Sequence, residues 1–245
     1  MSRKRRIFDP DSSEAYRLSR ARIEAFVRCR RCFYLDQRLG VRRPSMPGYT
    51  LNQAVDQLLK KEFDAYRQTG QPHPLMTANG VMAVPFQHAR MDEWRNNFKG
   101  ITHLHQDTNF VITGAIDDVW TDERGTLIIV DYKATSTAGK VSLDGPWKEA
   151  FKRQLEVYQW LFRRNGFTVS KTGYFVYCNA LKTPETFNSK LNFDIDLLPY
   201  EGDDGWVEPA IREAHACLSS DDPPARTDDC EWCAYRQKAF EVEAR

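Results

Sequence analysis

Apolar positions recur at two different periods along this chain, and the change of period divides it. Ile23, Phe26, Val27 and Leu35 fall on one side of a helix predicted over residues 18–39, with Ser19 placed to cap its start. Pro44, Pro47 and Gly48 interrupt that pattern. Thr50 is then placed to cap a second helix, on which Leu51, Val55, Leu58, Leu59 and Phe63 return at helical spacing. Residues 70–74 read as a turn, and a short helix is predicted around 91–94. From residue 110 the period shortens. Residues 110–120 read as one strand, 122–125 as a tight turn and 126–132 as its hairpin partner. A helix over 147–164 ends at Asn165-Gly166, followed by strands over 171–178 and 191–197 and a last helix over 207–218. An acidic, proline-containing turn over 221–229 leads into a short cysteine-bearing tail. Helix, hairpin, helix and strand in that order predict an α/β fold with a mixed central sheet flanked by helices.

Length and composition narrow the class. The chain has 245 residues, 41% hydrophobic and 28% charged, which suits a globular domain that needs no disulfide staples. The strongest apolar run, Leu127-Ile128-Ile129-Val130, is of strand length and far short of the ~18 residues of a membrane span. No apolar stretch follows the basic N-terminus, so the expected setting is cytoplasmic, with no membrane partner. The expected organisation is a basic flexible tail over 1–16 and one domain over 17–245. Its core spans about 48–200, with cysteine-bearing segments over 17–43 and 219–245.

The net charge of +1 conceals a segregation: residues 1–43 hold 13 lysines and arginines against 5 acids, so the remainder is net negative. Arg3 to Arg6 read as part of the tail. Arg22, Arg28, Arg30, Arg31 and Arg38 recur through a helix-compatible segment and are candidates to line a phosphate track, the alternative being a solvated helix face.

The candidate chemistry concentrates in the hairpin. Alternation puts Asp131 and Lys133 on one face, roughly 6–7 Å apart, with Tyr132 on the other. Strand pairing brings Asp117 toward Asp131, while Asp118 faces the opposite way. Adjacent carboxylates repel unless a hard cation such as Mg²⁺ lies between them, and a lysine beside that ion can orient a water. That set suits phosphodiester hydrolysis, although acids also commonly end strands. On the following helix Gln154 and Tyr158 share a face, either as support for such a site or as part of an ordinary amphipathic helix.

Gly114-x-x-Asp117, Asp131-x-Lys133 and Gln154-x-x-x-Tyr158, in that order, resemble the PD-(D/E)XK nuclease superfamily. The similarity is to its RecB-like branch, which includes the CRISPR-associated adaptation nucleases and the exonuclease domains of recombination helicase-nucleases. The resemblance spans about residues 48–180 and implies a restriction-endonuclease-like sheet and a Mg²⁺- or Mn²⁺-dependent DNA nuclease. In it Asp117 and Asp131 are metal ligands, Lys133 adjoins the attacking water, and Gln154 and Tyr158 support the site and the DNA. Single-stranded or free-ended DNA is the implied substrate, with protein partners in a repair or invader-defence complex. A nucleic-acid-binding or scaffold protein that keeps the fold without cleaving is the alternative. RecB-like nucleases carry a metal-binding histidine on the helix before the sheet; Asp56 stands at the matching place here, as a third ligand or as a solvated helix residue.

Cys29-x-x-Cys32 and Cys230-x-x-Cys233 share one spacing and can together hold a tetrahedral metal, the alternative being two pairs of free thiols. The resemblance offers a 4Fe-4S cluster as well as Zn²⁺, in either case joining the N- and C-terminal segments. Cys178 and Cys217 read as buried apolar residues, the histidines form no metal-spaced set, and the tryptophans read mostly as core.

Overall fold

The computed structural model describes residues 6–44 and 48–244. Arg3 to Arg5 and the break at Pro47 lie outside the described residues. In chain order the strands and helices are β1 Tyr16–Ser19, α1 Arg20–Arg28, α2 Arg30–Gln37, α3 Thr50–Thr69, α4 Pro74–Ala78, β2 Val84–Pro85, α5 Met91–Arg95, β3 Ile101–His105, β4 Phe110–Gly114, β5 Asp118–Thr121, β6 Leu127–Thr135, α6 Glu149–Arg164, β7 Thr172–Ala180, β8 Phe193–Glu201, α7 Val207–Ser219 and α8 Glu231–Glu243. They divide into two compact units. One comprises Met1–Pro47, Leu104–Thr113 and Gly205–Arg245, the other Gly48–His103 and Gly114–Asp204.

The second unit is the α/β core. Its five-stranded sheet runs β2-β5-β6-β7-β8, with β6 and β7 parallel and the other pairs antiparallel, so the sheet is mixed as expected. Period-two alternation on β6 assigns the two faces. Val130 and Tyr132 join Leu59 and Phe63 of α3, Trp120 and Val176 in one apolar cluster. Ile129 faces α6, where Leu155 and Tyr158 approach the sheet so closely that Gly173 and Gly114 have no room for a side chain. A Cβ at Gly114 would lie 2.6 Å from the Tyr158 ring.

The first unit holds the sheet β1-β4-β3, with β1 and β4 parallel, together with the terminal helices. Phe8 is buried, stacking edge-on with Tyr16 and Phe110, and its amide donates to the Gln37 carbonyl at 2.7 Å. In the described part of the expected tail Phe8 and Tyr16 are buried and most other residues are exposed.

Three expectations about individual elements are corrected. The helix over 18–39 is two helices, because Cys29 takes an extended conformation between them. Its amide closes α1 on Ala25 and its carbonyl opens α2 by accepting from Phe33, both at 3.0 Å. The strand over 110–120 is also two, β4 and β5, in different sheets, and Asp117 lies between them rather than on a strand. The tail after residue 230 is a helix, α8. Of the tryptophans, read mostly as core, Trp94, Trp120 and Trp160 are buried and Trp147 is 73% exposed.

On the α3 side of the sheet the core contains charge. Asp118 has no exposed surface, and its carboxylate accepts from Arg67, from Arg95 at 2.9 Å, from the Tyr132 hydroxyl at 2.7 Å and from the Val119 amide at 2.8 Å. Arg67 and Arg95 both also bind Asp64, and Arg95 donates to the Asp117 carbonyl at 3.0 Å. Burial and the Asp118 charge push the Tyr132 phenol well above its ordinary range, so it stays a donor. A buried charge is tolerable when its partners are this complete, and removing one partner leaves the others exposed to the full desolvation cost.

Asp118→Ala is expected to lower unfolding stability by about 3–5 kcal/mol, because Asp64 is then the one carboxylate left to two buried guanidinium groups. Gly114→Ala is expected to cost about 1–3 kcal/mol by driving Tyr158 off its position. Urea or guanidinium unfolding of each variant measures both.

Candidate active site

The α/β unit gathers five charged side chains at one end of the β5–β6 pair. Antiparallel register sets Asp118 against Val130, so the residue before β5 falls beside Asp131. Asp117 turns its carboxylate toward β6 and accepts from the Tyr132 amide at 2.9 Å. Asp131 is fully buried and forms an ion pair with the ammonium of Lys133, two residues on and on the same face. Asp118 points the other way, into the buried arginine network. Consecutive aspartates thus serve opposite faces of the sheet.

Charge decides the ionisation of this group. Burial alone would raise the Asp117 pKa, but the Lys133 and Lys60 ammonium groups and the Tyr132 amide outweigh it and hold the carboxyl below its usual range. For Lys133 burial acts to release the proton, and Asp131 and Asp117 overcome it, so the amine is held protonated more firmly than usual. Its Nζ also lies 4.7 Å from the centre of the Phe151 ring, a cation–π contact that fixes its direction.

Gln154 and Tyr158 meet on α6, the Gln154 amide donating to the Tyr158 hydroxyl at 3.2 Å. Tyr158 is buried and close enough to Lys133 to add to the field on it. Asp56 is held differently from the other acids. Its carboxylate binds Lys60 at 2.9 Å, and the same ammonium reaches Asp117 at 3.4 Å. Burial and the neighbouring Asp117 charge raise the Asp56 pKa, partly offset by Lys60.

Lys60 was not among the sequence candidates. The signal for it was Asp56 and Lys60 four residues apart, next to the apolar stripe of Leu59 and Phe63. Such i, i+4 pairs usually mark a solvated helix face, and here the pair turns toward the sheet end instead. Asp64 and Arg67, three apart on α3, were missed for the same reason, and Arg95 because its partners Asp64 and Asp118 are distant in the sequence.

In the other unit the four cysteines converge. Their sulfurs all lie within 4.8 Å of one another, with Cys29–Cys233 at 3.8 Å, Cys32–Cys230 at 3.6 Å and Cys32–Cys233 at 3.5 Å. Both pairs use the same device: Cys29 and Cys230 are N-caps of α2 and α8, and Cys32 and Cys233 sit in the first turns that follow. Two helix N-termini therefore face the sulfurs, a setting that favours thiolates. Despite burial, amides from Cys32 and Thr227 draw the Cys29 thiol down to about 6. Cys233 is pushed up, first by burial and then by neighbouring sulfurs that compete for the same protons. Arg43 lies against the group, 3.6 Å from the Cys230 sulfur.

The five candidate arginines all belong to this unit. Arg22 donates to the Arg17 carbonyl at 3.2 Å, Arg30 pairs with Glu213, and Arg31 donates to the Pro224 carbonyl at 3.4 Å. Arg28 is exposed and Arg38 half-buried. The histidines serve structure: His73 pairs with Glu62 and His105 with Glu208. Cys178 is buried, which raises its pKa to about 11.

Among the described residues no helix is long and apolar enough to cross a membrane. No curated protein matches this sequence. Among solved structures, the crystal structure of SSO0001 is similar over 86% of this chain and 80% of that one, at 14% identity and a TM-score of 0.39. The sequence profile of the PD-(D/E)XK nuclease superfamily matches residues 17–237, which takes in both the sheet-end acids and all four cysteines. The chain therefore belongs to the PD-(D/E)XK nuclease superfamily.

Proposed function

We propose that this protein hydrolyses DNA phosphodiesters with a divalent ion held by Asp117 and Asp131, and that it belongs to the RecB-like branch. The observation that carries the reading is Asp117 and Asp131 side by side at the end of β5–β6, with the Lys133 ammonium on Asp131. The donor set fits Mg²⁺ or Mn²⁺: hard carboxylate oxygens, with the Asp117 carboxyl held ionised. Such an ion lowers the pKa of a bound water and neutralises charge developing on the phosphate. Lys133 stands where it can orient that water, and Tyr158 and Gln154 keep the lysine and the sheet end in register.

The same unit offers a way in for the strand. Lys148, just before α6, donates to the Tyr177 hydroxyl and lies over the Phe151 ring, which also receives Lys133. Exposed Trp147 beside it can stack a base, which favours single-stranded or frayed DNA. Arg22, Arg28, Arg30, Arg31 and Arg38 remain proposed phosphate contacts of the other unit.

The four cysteines fit a single tetrahedral ion, and we assign Zn²⁺. The sulfur separations of 3.5, 3.6 and 3.8 Å approach the edge of a tetrahedron built on Zn–S bonds of about 2.3 Å. A four-iron cluster interposes its own atoms between each pair of thiolates and requires a wider spread than 4.8 Å. Its role is to join α2 to α8 and is structural.

A non-cleaving binder is favoured by one feature, the Lys60 ammonium already shared by Asp56 and Asp117. Labelled single- and double-stranded DNA with Mg²⁺ or Mn²⁺ separates the two readings. Cleavage is expected to fall to background in Asp131→Ala and by about 10²–10⁴-fold in Lys133→Ala. Binding without cutting by the parent protein in every metal favours the binder instead.

Freshly purified protein is expected to be colourless with one zinc per chain, measured by absorption and elemental analysis. Brown colour and stoichiometric iron refute the assignment. Chelation, or Cys32→Ser, is expected to lower the thermal midpoint and loosen the terminal helices, followed by circular dichroism.

A further inference from the structure

The α/β unit contains two lysines at its acid cluster, and the proposed chemistry uses one. Lys60 comes from α3, the layer opposite α6, and is mostly buried. Its Nζ lies 2.9 Å from the Asp56 carboxylate and 3.4 Å from the Oδ1 of Asp117. Asp117 Oδ2 is already engaged by the Tyr132 amide, and Asp131 by Lys133. Each of the three acids therefore has a cation or an amide assigned to it, and Asp56 is bound by Lys60 on the side toward Asp117.

We propose that Lys60 is a built-in counter-ion shared by Asp56 and Asp117, which withholds Asp56 from the divalent ion and limits this centre to one metal held by Asp117 and Asp131. The inference deepens the nuclease reading and rests on its metal site. Three carboxylates without Lys60 would leave two negative charges unmatched by Lys133. Such a cluster either binds its ion more tightly, with Asp56 as an added ligand, or draws in a second one. An ammonium fills the role of a second ion at fixed stoichiometry, independent of the metal supply. It also places a positive charge beside Asp117 without adding a Lewis acid. Lys60 is thus a positioning residue that sets metal number and affinity.

The test is Mn²⁺ binding to the full chain, with its cysteine site loaded, followed by the electron paramagnetic resonance signal of free Mn²⁺. The parent protein is expected to bind one Mn²⁺ that is lost in Asp131→Asn. Lys60→Met, which keeps the length of the side chain without its charge, is expected to bind Mn²⁺ at least about tenfold more tightly or to take up a second ion. Lys60→Arg should stay within about threefold of the parent, and Lys60→Met with Asp56→Asn should lose the gain. Lys60→Gln replaces Lys60→Met if thermal unfolding shows the latter misfolded. Unchanged or weaker binding in the neutral variants overturns the proposal, as does a gain that survives removal of Asp56. A parent protein with no Asp131-dependent Mn²⁺ overturns the metal reading itself. Asp131-dependent binding that is indifferent to Lys60 overturns this inference alone.

Discussion

Two carboxylates held side by side at the end of a sheet repel each other, and the α/β unit is arranged around meeting that cost. Asp117 and Asp131 are brought together by the register of β5 on β6, which the apolar cluster on the opposite face enforces. A slip of one residue would exchange Asp131 for Val130 or Tyr132 and put the charge into the core. The alternation that packs Val130 and Tyr132 under α3 is therefore the same alternation that aims Asp131 and Lys133 the other way. Stability and chemistry share one geometric constraint.

The neighbouring aspartate extends this logic. Asp118 follows Asp117 directly, yet its carboxylate is enclosed by Arg67, Arg95 and Tyr132. Arg95 also grips the Asp117 carbonyl, so the ionic network inside the α3 layer holds the backbone from which the Asp117 carboxylate projects. Rigid support of this kind is what the proposed role of Asp117 as a metal ligand requires, since a ligand oxygen must already be in place when an ion arrives. Gly114 contributes from the α6 side, letting Tyr158 come against the chain just before it bends toward Asp117.

Much of this was legible in the sequence, and the reasons are particular. Asp131, Tyr132 and Lys133 could be assigned to faces because the strand period is fixed by covalent geometry. The paired C-x-x-C units could be matched because equal spacing implies equal local geometry. The break after Gly114 was hidden, since a run of Val, Ile, Thr and Ala reads as one strand whichever sheet each half joins. Lys60, Arg67 and Asp64 were hidden because a charged stripe at helical spacing looks the same whether it faces water or an ionic core. Cys29 as a helix boundary could not be seen from propensity, because extended geometry there is set by the sulfur cluster. Helix α8 lacks an apolar stripe altogether: Tyr235, Phe240 and Val242 are all exposed, so no periodicity announces it.

The cysteine quartet joins positions 204 residues apart in the chain, and that separation governs when the protein can finish folding. During synthesis at about 5–20 residues per second, the first thiol pair leaves the ribosome roughly 10–40 s before the second exists. Throughout that interval α1 and α2 have no C-terminal helix to pair with, while β5, β6, α6 and β7 are emerging in order between them. The later half of the quartet then closes a loop of chain within whose sequence every residue of the α/β unit lies. Closing so long a loop costs little more entropy than closing one half its length, because the cost grows only with the logarithm of loop size. The quartet can therefore assemble only after every residue of the α/β unit has left the ribosome.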